Sequence, residues 1–196
     1  MGSGHIALLE SLLKDCSTTP ELKGALTRLL VEGKERLQRG SSSSLDFFSD
    51  ALLLLTKLKG TLYAESRLEC LFDCGSYFYH DAKHEKALDA AIQINLLATQ
   101  VNSQLWRRKA LTLQGVTYAD MGSVGDALIC HYSALELARQ IGDIEGECRE
   151  LINTGVALNY AGLYREAIRC FKAAADMAEF HRLKPELIPT AYINLA

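Results

Sequence analysis

The stretch LTLQGVTYADMGSVGDALICHYSALELA, from Leu111 to Ala138, decides the fold once it is set beside LINTGVALNYAGLYREAIRCFKAAADMA, from Leu151 to Ala178. Shifted by forty residues, the two share eight of 28 positions: Leu111/Leu151, Gly115/Gly155, Val116/Val156, Gly122/Gly162, Ala127/Ala167, Cys130/Cys170, Ala134/Ala174 and Ala138/Ala178. Matching at a fixed step marks a stacked repeat rather than one globular core. Each copy reads as two helices. The first places Leu111, Gly115, Tyr118 and Ala119 at helical spacing and breaks at Gly122, and the second runs through Ala127, Leu128, His131, Ala134, Leu135 and Ala138. A glycine inside a helix costs roughly 1 kcal/mol against alanine, so Gly115 and Gly155 require a packing reason. Close approach of the paired helices supplies it, with methyl groups at Ala127 and Ala134 and with Tyr118, Leu151 and Phe171 filling the space between copies.

Leu111, Gly115, Tyr118, Gly122, Ala127, His131 and Ala134 together resemble the tetratricopeptide repeats. The period is longer than the common 34-residue form. It resembles the repeats of bacterial regulatory proteins and of kinesin-light-chain-like adaptors, with Gly142-Asp143 as the spacer between units. The resemblance implies an all-α, right-handed superhelical solenoid of antiparallel helix pairs. It also implies an N-terminal sensory module of a bacterial signalling protein, such as a GGDEF diguanylate cyclase.

Outward from the two copies, a third match lies forty residues upstream, where Leu71, Gly75, Ala87 and Ala98 align with Leu111, Gly115, Ala127 and Ala138, and Ala82 replaces the turn glycine. The repeats then span about 65–102, 104–142 and 145–182, within a region 61–196. Residues 1–60 read as N-terminal helices and a degenerate capping unit. Thr19-Pro20 opens one helix there, Gly40 and Ser41 to Ser44 form a turn, and Leu52 to Leu55 make a helix apolar all round. After the third repeat, Lys184-Pro185 opens the first helix of a fourth, and the sequence ends within it at Ala196. A solenoid needs a terminal cap for solubility, so the expectation is a longer protein or a covering chain.

Composition excludes several classes of function. A net charge of -3 and a pI near 6.0 offer no concentrated basic face for nucleic acid. No apolar run reaches the roughly 20 residues of a membrane span. The six cysteines include no CxxC pair and no histidine at zinc spacing. They read as free buried thiols of a cytoplasmic protein, so no metal and no cofactor is expected. His80 and His84 have the spacing of helical metal ligands, but Asp81 and Ala82 between them fall at an inter-helix turn. His131 fills the slot of Phe171 and reads as a packed, hydrogen-bonded ring. Glu145, Glu147 and Glu150 are spaced like a solvated helix face. No nucleophile elbow, phosphate loop or zinc-peptidase motif occurs, and a non-catalytic scaffold is the reading.

The first helix of each pair lines the concave side of such an array. Carried over by resemblance, the peptide-binding groove comprises Asp73 and Ser76, with Glu69 and His80 beside them. It continues with Lys109, Thr112, Leu113, Val116 and Asp120, then Arg149, Asn153, Val156, Asn159 and Tyr160, and ends with Thr190 and Asn194. The resemblance gives Asn153 and Asn194 the role of holding the main chain of a bound peptide, since an amide both donates and accepts. An alternative is that Asn153 ties neighbouring helices. Lys109 and Arg149, equivalent positions, form a candidate two-cation ladder for a carboxylate. Trp106 reads as packing between repeats. The expected partner is a protein or peptide segment. The rival reading is a structural oligomerisation domain, a homodimer through the apolar N-terminal helices or the uncapped C-terminal end.

Overall fold

The computed structural model describes Gly24, Arg28, Leu29, Val31 to Gly33, Glu35, Arg36, Arg39 and residues 64–183. The expected Leu52–Leu55 helix and the fourth-repeat positions Thr190 and Asn194 lie outside the described residues. Within 64–183 six helices follow one another: α1 (Ala64–His80), α2 (His84–Gln100), α3 (Gln104–Asp120), α4 (Val124–Ile141), α5 (Ile144–Tyr160) and α6 (Tyr164–Phe180). The fold class is the expected one, an all-α, tetratricopeptide-like solenoid of helix pairs.

Each of these six described helices ends in the same way. Ala82, Asn102, Gly122, Gly142, Gly162 and Arg182 all have positive φ, between 50° and 79°. The residue after each sends its N–H to the carbonyl five residues back, as in Ser103 to Ala98 (2.8 Å), Ser123 to Tyr118, Asp143 to Ala138, Leu163 to Leu158 and Leu183 to Ala178 (each 2.9 Å). This left-handed closure satisfies carbonyls that a helix end leaves without partners. Helix and turn together therefore occupy twenty residues, and two such steps give the forty-residue period seen in the sequence. His80 closes α1 and His84 opens α2, so the turn separates the two rings as expected.

The chain divides into two compact units, Met1–Gln93 and Ile94–Ala196. In the first, α1 buries Leu68, Cys70, Leu71, Cys74 and Gly75. Lys86 lies over the Phe78 ring, 5.5 Å from its centroid. In the second unit α3 pairs with α4, α5 pairs with α6, α4 packs against α5, and α3 touches α5. Small residues make these approaches close: Ala127, Ala134, Ala138, Ala174 and Ala178 are fully buried. Phe171, 2% exposed, is the largest side chain of a core formed with Leu135, Leu151, Ile152 and Leu158. Burying such a ring contributes about 1.5–3 kcal/mol.

Candidate functional site

The first helix of each pair places most of the expected groove residues at half-buried or exposed positions. On α1, Asp73 and Ser76 are half-buried. On α3, Lys109 and Val116 are half-buried and Asp120 is exposed. On α5, Asn153 and Val156 are half-buried, while Arg149, Asn159 and Tyr160 are exposed. Because α3 and α5 touch, the sets on these two helices neighbour one another. Leu113 departs from the expectation: only 4% exposed, it belongs to the core, where its apolar side chain escapes water.

The two-cation ladder also needs correction. Lys109 Nζ lies 3.9 Å from the centroid of the Trp106 ring, a cation–π contact, and the ring itself is buried, 3% exposed. Arg149 is held by Glu145 on the preceding turn, at 3.1 Å. Both cations are thus engaged by their own helices, and a carboxylate ligand would compete with those contacts.

Beneath these residues lies a feature that the sequence reading assigned to solvent. Glu150 is not on a solvated face; it is fully buried, and polar groups from two neighbouring helices converge on it. His131 Nδ1, on α4, lies 3.0 Å from Glu150 Oε2. The Thr112 hydroxyl of α3 donates to Oε1, and the Arg108 guanidinium, also on α3, stands 3.6 Å from the same oxygen. Arg108 Nε is 3.0 Å from Asp143 Oδ2, but that N–H makes no hydrogen bond, so the contact is Coulombic. The other oxygen of Asp143 accepts from the Gly146 backbone N–H at 2.8 Å and caps α5. Glu147, by contrast, pairs near the surface with Arg139 at 2.8 Å.

His131 is the packed, hydrogen-bonded ring that its slot predicts, 1% exposed. It lies over Gly115, where a Cβ would come within 2.5 Å of the ring, and Phe171 covers Gly155 in the same way. Periodic comparison would have revealed the buried charges: the places forty residues before Glu150 and Arg108 hold Ala110 and Leu68, both core residues.

Cys70, Cys74, Cys130, Cys148 and Cys170 are free thiols, all but Cys170 buried. Burial pushes the thiols of Cys130, Cys148 and Cys170 up from their ordinary range, which suits packing rather than nucleophilic chemistry. Among the described residues no group of three or more His, Cys, Asp or Glu is arranged to hold a metal ion. No helix of the described residues is long and apolar enough to cross a membrane.

No protein-family model matches this sequence, and no curated protein matches it either. Solved structures do. A Rap protein complexed with Competence and Sporulation Factor superimposes with a TM-score of 0.76 at 22% identity, over 87% of this chain and 47% of that one. Aspartyl phosphate phosphatase F from Bacillus subtilis gives 0.78 at 22% identity, over 87% of this chain and 44% of the other. BtubC (BKLC) from P. vanneervenii gives 0.79 at 11% identity, over 98% of this chain and 79% of the other. Identities this low show a shared fold. This chain spans less than half the length of the Rap protein and of the phosphatase.

Proposed function

We propose that this chain is a non-catalytic scaffold that holds a peptide or protein segment along its inner helices. The observation that carries the reading is the adjacency of α3 and α5, which sets the half-buried Val116, Asn153 and Val156 beside the exposed Arg149 on neighbouring surfaces. A helical-array neighbour, the Rap protein, was solved complexed with Competence and Sporulation Factor, and that supports a peptide as the class of ligand. In the finer reading the chain is the N-terminal sensory or regulatory module of a longer bacterial signalling protein in the cytoplasm, with a diguanylate cyclase as one output that fits. A bound segment would act there by favouring one shape of the array over another. The homodimer reading rests on Leu52–Leu55 and the C-terminal end, which lie outside the described residues.

Selection of displayed random peptides on the purified chain, followed by calorimetry of the enriched sequences, tests the scaffold. Arg149→Ala with Asn153→Ala should weaken the selected peptides about tenfold or more, equivalent to 1.4 kcal/mol, with the melting temperature nearly unchanged. Unaltered affinity in a folded double variant would remove these residues from the site. Failure to enrich any peptide would favour the structural reading.

A further inference from the structure

Around Glu150 the chain breaks its own period at several core positions together. Arg108 stands where the neighbouring copies have Leu68 and Cys148, Glu150 where they have Cys70 and Ala110, and His131 where they have Ala91 and Phe171. Gly146 stands where the preceding copy has Trp106. A Cβ there would lie 2.5 Å from Asp143 Oδ2 and 3.0 Å from Arg108 Cζ, so the glycine leaves room for the ion pair. Buried ion pairs seldom stabilise more than well-packed apolar groups of equal volume, and their best-attested use is to select one register.

A repeat array has need of such selection. Hairpins built on the same glycine and alanine positions offer one another similar surfaces, and apolar stacking does not discriminate between them. Exchange of hairpins between chains is the characteristic failure of such proteins. We propose that the Arg108–Glu150–His131 cluster is a registration key, which admits α5 beside α3 and α4 only in the register that pairs Glu150, and rejects the other hairpins of this chain or of a second copy. Any other hairpin would bring Cys70 or Ala110 where Arg108 and His131 meet a carboxylate. Placed elsewhere, α5 would bury Glu150 against Leu68 or Cys148 instead of a cation. Asp143 ties the key to local structure, since one oxygen caps α5 while the other faces Arg108.

The test is a volume-conserving apolar replacement in the full chain, Arg108→Met, Thr112→Val, His131→Phe and Glu150→Leu, refolded from denaturant and sized by light scattering over a wide concentration range. The expected result is a variant melting no lower than the parent, yet refolding to a mixture that includes dimers in which a hairpin other than α5–α6 stacks on α3–α4, where the parent gives one species. A variant with the parent's single mass would overturn the proposal. Should the fourfold variant fail to fold, Arg108→Met with Glu150→Leu carries the same reading. Loss of the helical signal in both would also contradict it, because the cluster would then support the fold rather than choose the partner.

Discussion

The hairpins α3–α4 and α5–α6 follow one backbone plan with different chemistry inside. Each has a glycine in its first helix covered by a ring from its second, Gly115 by His131 and Gly155 by Phe171, and in each a Cβ would come within 2.5 Å of that ring. Yet the first ring is hydrogen-bonded to a buried carboxylate, whereas the second lies among Leu151, Ile152, Leu158 and Ala174. Small residues thus set the spacing of the helices, and the slot above the glycine holds either an apolar ring or a polar one whose nitrogen finds a partner.

Emptying the polar slot should have the largest effect. Glu150→Ala leaves Arg108 and His131 buried without their carboxylate and should cost about 3–5 kcal/mol, read from the urea midpoint. A loss below that of a surface substitution would mean that the cluster is solvated. Next come the glycines. Gly115→Ala and Gly155→Ala each overpack a core by about 1–3 kcal/mol, with Gly115→Ala the more harmful because displacing the ring also withdraws Nδ1 from Glu150. Equal losses would show that the hydrogen bond adds nothing to the ring.

The turns allow a gentler test. Ala82 holds a φ of 54° at the place where the later pairs have glycine, so Ala82→Gly should stabilise by about 0.5–1 kcal/mol, and Gly142→Ala should cost about 1 kcal/mol. Thermal melts of the two variants should move in opposite directions. The smallest effect concerns the thiols. With their titrations raised by burial, Cys130, Cys148 and Cys170 hold less thiolate at neutral pH than a free cysteine does. Alkylation should therefore be slow, should accelerate only at more alkaline pH than for a model thiol, and should reach the half-exposed Cys170 first. Fast labelling of Cys148 at neutral pH would mean that the α5–α6 core is open.

Much of the fold was legible because the residues that shape it recur. Gly122 and Gly142 announced turns, Gly115 and Ala127 announced close helices, and Phe171 pointed to a ring at His131. The buried cluster was not legible in the same way, since Glu145, Glu147 and Glu150 read along one helix resemble a wetted face. Only their place in the period separates Glu150, at a core position, from the other two. Leu113 misled for a related reason: it shares the place of Asp73 and Asn153, but an apolar side chain there turns inward. The proposed groove rests on side chains whose partner no sequence pattern names.

The equivalence of the two hairpins is tested most directly by the α-proton chemical shifts of Gly115 and Gly155. Both should be displaced by the ring lying over them, His131→Ala should restore Gly115 alone, and Phe171→Ala should restore Gly155 alone. A glycine whose α protons ignore the loss of its own ring would contradict the stacking from which the groove and the key are both argued.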